Sequence, residues 1–212
     1  MYTHSKQIRT GGQPVASANA ALIMLHGRGA SAEDIMGLAG HINVADMAVY
    51  APQATNNSWY PYSFMNPVAD NQPALDSAIE LIEQTVQIAI SDGFAASKIF
   101  FTGFSQGACL TLEYIARNAK QFGGAAAFTG GLIGAELDLK NYTGDFGGTP
   151  IFIATGNPDL HVPLSRVEES VSILTKMNAD VTLKVYPGRP HTISMEELKL
   201  ANQIVFDSQN HH

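Results

Sequence analysis

Residues 99–115 read IFFT-GFSQG-ACLTLEYI and contain the turn that decides the fold. The first four residues form an apolar run typical of a buried strand, and Ala108–Ile115 has the pattern of a helix. Between them, Gly103–Gly107 fits G-x-S-x-G, in which a serine occupies a sharp, strained turn from strand to helix. Glycines on both sides let neighbouring backbone pass close by. The segment therefore predicts a nucleophile, Ser105, raised above the end of a strand.

A glycine-rich turn after a strand has two other interpretations, a phosphate cradle and a plain tight turn. The Walker pattern G-x-x-x-x-G-K-[ST] and the fingerprint G-x-G-x-x-G are both absent from residues 103–107. The strand and helix patterns on either side are the context that the serine turn requires. The sequence therefore favours a nucleophile over phosphate binding.

A serine hydroxyl needs a base, and after this turn the chain order is Ser, then Asp or Glu, then His. Asp159 follows the predicted strand Ile151–Thr155, and His191 follows the predicted strand Val181–Tyr186. Both residues should therefore lie at the same edge of the sheet as Ser105. We expect Asp159 to orient His191, and His191 to take the serine proton and return it to the leaving group.

An early loop offers the second half of an oxyanion hole. Leu25-His26-Gly27-Arg28-Gly29 follows the predicted strand Ala20–Leu25, and its glycines permit the unusual backbone that aims an N–H inward. We assign the oxyanion donors to the backbone N–H groups of Gln106 and Arg28. His26 is expected to pack beneath this loop rather than to take part in chemistry.

The rest of the chain alternates short apolar runs with longer amphipathic ones, which predicts an α/β fold with a mainly parallel sheet. No repeat or linker divides it, so we expect one domain over residues 1–212, with 1–19 as an N-terminal edge segment and 207–212 as a tail. The predicted strands are Ala20–Leu25, Met47–Ala51, Ile99–Thr102, Gly124–Thr129, Ile151–Thr155 and Val181–Tyr186, with a further edge strand within Met1–Thr10. The predicted helices are Ser31–His41, Pro73–Ser91, Gln106–Asn118, Pro163–Lys176 and Ser194–Phe206.

Composition excludes several classes of protein. Lys and Arg number 12 against 19 Asp and Glu, a net charge of −7, so neither nucleic acid nor an anionic membrane surface is an expected partner. The longest apolar stretch, Ala20–Leu25, is too short to cross a bilayer, and the first fifteen residues hold no apolar run. A single cysteine, Cys109, excludes an intrachain disulfide. We expect a cytoplasmic protein without stable membrane insertion. The terminal His211-His212 is either native or the stub of a tag, and we expect no function for it.

Residues between the predicted strand ends and helices are candidates for substrate binding. The segment from Pro52 to Gln72 has no clear period and includes the aromatic-rich stretch Ser58–Met65. We expect Trp59 and Phe64 to contact the substrate, the alternative being a cluster that covers the sheet edge. His161, two residues after Asp159, is expected near the site.

Two arginines suggest a hypothesis about substrate charge. Arg28 and Arg189 stand on two loops that flank the predicted site, and together they favour substrates with an anionic or strongly polar end. The alternative is that both side chains are merely solvated.

A metal site is the competing interpretation of the His and Asp residues. It would gather His26, Asp159, His161 and His191, but these residues are scattered and no spacing such as H-E-x-x-H is present. We therefore expect no metal and no cofactor. Cys109, one helical turn beyond Ser105, is expected to be inert.

Taken together, these segments resemble the phospholipase/carboxylesterase family of α/β-hydrolases, which includes acyl-protein thioesterases and small bacterial carboxylesterases. The resemblance spans roughly residues 20 to 206 and rests on Leu25-His26-Gly27-x-Gly29, Ala51-Pro52, Trp59, Gly103-Phe104-Ser105-Gln106-Gly107, Gly156-x-x-Asp159-x-x-Val162-Pro163, and Gly188-x-x-His191 followed by Glu196-Glu197-Leu198. It implies an α/β-hydrolase fold with helices on both faces of the sheet and cofactor-free hydrolysis of carboxylic esters. By similarity, Ser105, Asp159 and His191 fall on the family's triad, and Arg28 and Gln106 on its oxyanion positions.

The chain also departs from the family pattern. The family usually has leucine where Arg28 stands, and Gly188-Arg189-Pro190-His191 replaces a more flexible Gly-x-Gly-His. Because the oxyanion donor is a backbone N–H, the first departure affects substrate preference rather than catalysis. The sequence thus predicts a serine carboxylesterase for small esters that works through an acyl-enzyme.

Other functions remain open at this point. The same residues suit a lysophospholipase or an acyl-thioesterase, and a hydrolase-fold binding protein without turnover is the alternative from another class. A dienelactone-hydrolase-like enzyme would need cysteine at position 105. The expected partner is a small-molecule ester, and a homodimer is compatible with the sequence.

Overall fold

The apolar runs of the sequence form a seven-stranded sheet in the computed structural model, which describes residues 2–207. The strands are β1 (Ile8–Gly12), β2 (Ala20–Leu25), β3 (Met47–Pro52), β4 (Ile99–Phe104), β5 (Gly124–Phe128), β6 (Pro150–Asn157) and β7 (Asp180–Pro187). Their order in the sheet is β1-β3-β2-β4-β5-β6-β7. β1 pairs antiparallel with β3, and every other neighbouring pair is parallel. This places the carboxyl ends of β2 to β7 along one edge of the sheet.

Helices occupy most of the connections between the strands. They are α1 (Ala32–Met36), α2 (Val68–Asn71), α3 (Ala74–Ser91), α4 (Gln106–Arg117), α5 (Leu164–Lys176) and α6 (Met195–Ala201). Ser31 and Ser194 begin α1 and α6 with complete capping boxes, in which the side chains of Asp34 and Glu197 return to the N-cap backbone. None of the helices within residues 2–207 has the length and apolar character to cross a membrane.

Both faces of the sheet are covered, as the buried central strands require. Every residue of β2 is buried, with alternate side chains facing opposite sides. Ile23 packs into the larger core, which contains side chains of α3, α4 and α5. Leu22 packs into the smaller core, together with Ile35 of α1 and Leu198 of α6. Removing a side chain of this size from water contributes about 1.5–3 kcal/mol. The predicted α/β-hydrolase fold is confirmed.

The predicted and observed elements differ mainly at their ends. The N-terminal edge strand is shifted to Ile8–Gly12, because residues 2–7 contact the loop after β3 instead. The helix predicted over Ser31–His41 changes to a 3₁₀ helix at Gly37, and the last helix continues beyond Ala201 as a π-helical turn, Asn202–Phe206. The segment predicted as a loop from Pro52 to Gln72 contains the short helix α2. Residues 208–212, with His211-His212, lie outside the described part.

The turn between β4 and α4 has the tight geometry that its glycines suggest. Ser105 adopts φ 54° and ψ −117°. A Cβ on Gly103 would lie 2.4 Å from the carbonyl oxygen of Gly107, and a Cβ on Gly107 would lie 2.1 Å from the carbonyl oxygen of Leu25. A side chain at either position would force backbone atoms apart. The start of α4 is therefore packed directly against the end of β2.

Replacing Gly107 with alanine should destabilise the protein. The added methyl group has to displace backbone rather than a flexible side chain, so we expect Gly107→Ala to lower the free energy of unfolding by about 1–3 kcal/mol or more. Gly40→Ala is the matched control, because a Cβ there meets nothing within 4 Å. Urea unfolding measures both; equal stability of the two variants would contradict the packing argument.

Candidate active site

Three residues from distant parts of the chain meet at the carboxyl edge of the sheet. Nε2 of His191 lies 2.8 Å from Oγ of Ser105, and Nδ1 of His191 lies 2.8 Å from Oδ2 of Asp159. The other carboxylate oxygen of Asp159 accepts the backbone N–H groups of His161 and Val162, at 2.8 and 2.9 Å. Each polar atom of this relay therefore has a partner at hydrogen-bonding distance.

The charge state of Asp159 determines the direction of the relay. Burial acts to raise the pKa of the Asp159 carboxyl, but the hydrogen bonds from His191 and from two backbone N–H groups outweigh burial and lower the pKa below its ordinary value. The carboxylate is thus ionised and accepts the proton-bearing Nδ1 of His191. In that tautomer Nε2 is unprotonated and accepts the hydroxyl of Ser105.

The predicted oxyanion loop and the turn at Gln106 both adjoin Ser105. Gln106 is the first residue of α4, so its backbone N–H has no acceptor within the helix. Its buried side chain accepts the Trp59 N–H at 2.9 Å and donates to the Tyr60 carbonyl at 2.9 Å. In the other loop, the N–H of Gly29 donates to the Asn57 carbonyl at 2.7 Å. Side-chain and backbone contacts therefore hold both donor segments against residues 57–60.

A cavity of about 640 Å³ lies beside the hydroxyl of Ser105. Its wall is largely apolar and aromatic, with Arg28, Gln106 and His191 also lining it. The apolar part of the wall is formed by Tyr60, Pro61, Tyr62, Phe64, Leu160 and Val162. Leu160 is 96% exposed and Tyr62 is 57% exposed, so these two residues offer apolar surface that a bound molecule could cover.

Of the residues predicted to bind substrate, some line the cavity and one does not. Phe64 and His161 line the cavity, and the ring of His161 packs edge-on against that of His191 at 5.1 Å. Trp59 is not in the wall: it is fully buried, and its indole Nε1 donates to the His26 carbonyl at 2.8 Å. The indole fills the space beneath the oxyanion loop, where its N–H finds an acceptor, so its predicted contact with substrate is corrected to a packing role.

The two arginines do not present free charges to the cavity. The guanidinium of Arg28 donates to Ser58 Oγ and to the carbonyls of Pro61 and Tyr62, at 3.1, 2.8 and 2.6 Å. It holds the aromatic loop, although Arg28 also lines the cavity. The side chain of Arg189 is 9% exposed and forms an ion pair with Glu197, so it is neither solvated nor directed at a ligand. The predicted preference for anionic substrates loses its structural basis.

Several residues of the site were not predicted from the sequence. Tyr60 and Leu160 line the cavity, but neither belongs to a motif. Cys109 also lines the cavity; burial raises the pKa of its thiol to about 12, which agrees with the expectation that it is inert. The aromatic-rich stretch Ser58–Met65 was the one sequence signal for the cavity wall, and Tyr60 lies within it.

Residues near the N-terminus contact the loop after β3, which in turn contacts the oxyanion loop. Nδ1 of His4 accepts the Thr55 N–H at 3.0 Å, while its Nε2 donates to the Trp59 carbonyl at 2.9 Å. Tyr2 donates its hydroxyl to the Ser58 carbonyl at 2.7 Å. The N-terminal segment thus packs on residues 53–59, whose other side faces the oxyanion loop.

His26 has a structural role, as the sequence suggested. One ring nitrogen, Nδ1, donates to the Gly27 carbonyl at 2.8 Å, and the other, Nε2, accepts the Ala54 N–H at 3.1 Å. Both nitrogens are therefore used by the backbone, which leaves none for the metal site considered above. Across residues 2–207, no group of three or more His, Cys, Asp or Glu side chains is arranged to hold a metal ion.

Comparison with known proteins identifies the family. Residues 7–206 match the family model described as Phospholipase/Carboxylesterase. The chain belongs to the phospholipase/carboxylesterase family. The resemblance stated from the sequence motifs is thereby confirmed. The chain is also similar to a crystal structure of a phospholipase/carboxylesterase from Dyadobacter fermentans, with 62% sequence identity and a TM-score of 0.96. The match covers 97% of the present chain and 99% of the Dyadobacter chain.

Curated relatives of this phospholipase/carboxylesterase chain carry related names. A protein of Oryza sativa subsp. japonica named as a probable carboxylesterase is 30% identical over 66% of this chain and 54% of its own length. An acyl-protein thioesterase 1 of Kluyveromyces lactis is 29% identical over 67% of this chain and 64% of its own length. The chain therefore spans about half to two thirds of the length of these curated relatives. Both names denote hydrolases of esters or thioesters.

The buried histidines predict how stability depends on pH. Burial lowers the pKa of His26, against smaller opposing effects of the Gly27 carbonyl and nearby carboxylates, and burial likewise lowers the pKa of His4. Below their usual pKa, near 6.5, the unfolded chain therefore binds more protons than the folded one. The free energy of unfolding should be level above about pH 7.5 and fall as the pH drops from about 6.5 through the folded pKa values.

Urea unfolding between about pH 7.5 and pH 5.5 measures this dependence. His26→Asn removes one of the two titrating rings, so its stability should change less steeply with pH than that of the wild type. His41→Asn, which removes an imidazole from an exposed position, is the matched control. If the free energy of unfolding of His26→Asn depends on pH as steeply as that of the wild type, the His26 ring does not cause the loss of stability at low pH.

Proposed function

We propose that this chain is a serine carboxylesterase that hydrolyses small, uncharged carboxylic esters. The observation that carries the proposal is the relay from Asp159 through His191 to Ser105, with both contacts at 2.8 Å, beside a cavity of about 640 Å³. Membership of the phospholipase/carboxylesterase family supports the same reaction class. A binding protein without turnover would have no need of a base held at this distance from a strained serine.

In the first half of the reaction, Nε2 of His191 takes the Ser105 proton while Oγ forms a bond to the ester carbonyl carbon. The carbonyl electron pair moves onto oxygen, and the backbone N–H groups of Gln106 and Arg28 bind the resulting oxyanion. Asp159 stabilises the imidazolium. When the tetrahedral intermediate collapses, the carbon–oxygen bond to the alcohol breaks and His191 delivers its proton to the departing oxygen, which leaves an acyl-enzyme.

The second half repeats these steps with water. His191 takes a proton from a water molecule, whose oxygen attacks the acyl carbon. The oxyanion forms again in the same place, and its collapse breaks the bond to Ser105. The proton held by His191 returns to the serine oxygen, and the carboxylic acid departs.

The cavity wall supports an uncharged substrate with apolar parts. Its exposed apolar side chains suit a short acyl or alcohol group. The guanidinium of Arg28 already donates hydrogen bonds to the carbonyls of Pro61 and Tyr62. An acyl-thioester substrate is the second candidate, favoured by the relative from Kluyveromyces lactis that is named as an acyl-protein thioesterase. Both substrates would use the same relay and the same acyl-enzyme.

Loss of the nucleophile should abolish activity. We expect the wild type to release p-nitrophenol from p-nitrophenyl acetate, with rates highest for short acyl chains in a panel that includes a thioester and a lysophospholipid. Ser105→Ala should show neither a burst nor turnover, and Asp159→Asn should lower kcat by about 10³- to 10⁴-fold, because it favours the wrong imidazole tautomer.

The control is Ser91→Ala, an exposed serine at the end of α3 that should keep full activity. Mass spectrometry of the acylated wild type should place the acyl group on Ser105. Turnover by Ser105→Ala at the wild-type rate would exclude the proposed mechanism.

The exposed leucine in the cavity wall tests substrate contact without disturbing the core. Leu160→Ala should weaken binding of a p-nitrophenyl ester by about 1 kcal/mol, or about fivefold in KM, because the substrate loses apolar surface to cover. Leu139→Ala is the matched control, since Leu139 is 64% exposed but does not line the cavity. Equal KM values for the two variants would show that the substrate binds elsewhere in the cavity.

A further inference from the structure

We infer that Arg189 is a positioning residue that sets the distance between His191 and Ser105. This inference rests on the proposed function, since it concerns the base of that reaction. It also concerns a place where the chain departs from the family pattern, because arginine and proline stand between Gly188 and His191. Arg189 lies two residues before the histidine, and it does not line the cavity beside Ser105.

The loop that carries His191 has few backbone anchors. After β7, the N–H of Gly188 donates to the Asn157 carbonyl at 2.8 Å, and the N–H of Arg189 makes a long contact of 3.4 Å to the Tyr186 carbonyl. At the far end, the N–H of Ser194 donates to Oε2 of Glu197 at 2.6 Å, as part of the capping box of α6. Between these anchors, Pro190 and Thr192 are exposed.

The Arg189 side chain attaches the part of the loop that lies between these anchors. Its Nη1 donates to the carbonyl of Thr192, so the guanidinium bridges the chain on both sides of His191. Its Nη2 donates to Oγ1 of Thr129, which directly follows β5, at 3.1 Å. A single side chain thus fastens the loop to itself and to the sheet.

An ion pair and a ring contact complete the attachment. Nη2 of Arg189 lies 3.2 Å from Oε1 of Glu197, whose side chain is fully buried. The guanidinium also lies over the ring of Tyr186 in β7, 5.4 Å from its centre. Without Arg189, a buried carboxylate would lose its cation, and the loop would lose its side-chain contacts with Glu197, Thr129 and Tyr186. Lysine can replace only part of these contacts, because one ammonium group does not offer the planar fork of donors.

The position of the imidazole therefore depends on Arg189 as well as on Asp159. Asp159 fixes one ring nitrogen, and the ring of Phe104 lies 5.2 Å from the imidazole, but the loop backbone decides how far Nε2 stands from the serine oxygen. A shift of about 1 Å in a reacting group can cost about 100-fold in rate. Substrate binding in the cavity does not involve the Arg189 side chain.

The test compares kcat and KM for p-nitrophenyl acetate in Arg189→Met, Arg189→Lys and the matched control Arg117→Met. Arg117 forms the same kind of ion pair, with the fully buried carboxylate of Glu113, on the far part of α4. We expect Arg189→Met to lower kcat by about 100-fold with KM within about twofold, and Arg189→Lys to recover about tenfold of that loss. Arg117→Met should lose thermal stability and keep wild-type kcat.

A second readout separates positioning from stability. The rate at which a fluorophosphonate labels Ser105 should fall in Arg189→Met in parallel with kcat, at a temperature where the variant is folded. If Arg189→Met does not fold, Arg189→Lys decides the matter, since a lowered kcat at unchanged KM supports the inference. Wild-type kcat in a folded Arg189 variant, or an equal loss of kcat in Arg117→Met, overturns it. An inactive, unlabelled wild type would instead overturn the proposed function.

Discussion

Close packing between the end of β2 and the start of α4 is the constraint on which the site depends. Gly107 stands where any side chain would collide with the Leu25 carbonyl, so the helix can begin directly beside the oxyanion loop. The strained conformation of Ser105 follows from the same contact, and its N–H is held by the Phe128 carbonyl at 2.9 Å. The end of β2, the start of α4, the oxyanion loop and the turn at Ser105 are thus packed against one another.

The nucleophile and its base are held by different physical means. Ser105 is fixed by backbone packing in the middle of the sheet, where strands on both sides restrict movement. His191 stands on a loop beyond β7, the last strand in the sheet order, and its place depends on side-chain contacts with Asp159 and on the clamp formed by Arg189. Substitutions of the glycines on either side of Ser105 should therefore act through folding, whereas substitution of Arg189 should act through the geometry of proton transfer.

Local patterns in the sequence were sufficient for the fold and for the residues that meet at the sheet edge. The serine turn, the chain order and the strand ends all depend on short-range rules, so Ser105, Asp159 and His191 could be named before their distances were known. The orientation of Trp59, Arg28 and Arg189 could not, because it depends on contacts that no motif encodes. The side chains of Trp59 and Arg28 bond to partners 30 to 34 residues away in sequence. Arg189 bonds to Thr129, 60 residues away, and pairs with Glu197 of α6. The spacing of residues in the sequence does not reveal which acceptor each of these side chains meets.

The contacts of Tyr2 and His4 with residues 55–59 have a practical meaning for work with this protein. Because these first residues brace the loop that backs Trp59 and the Gln106 side chain, trimming them to shorten the chain would loosen the oxyanion side of the site. Variants prepared for expression should therefore retain Tyr2 and His4.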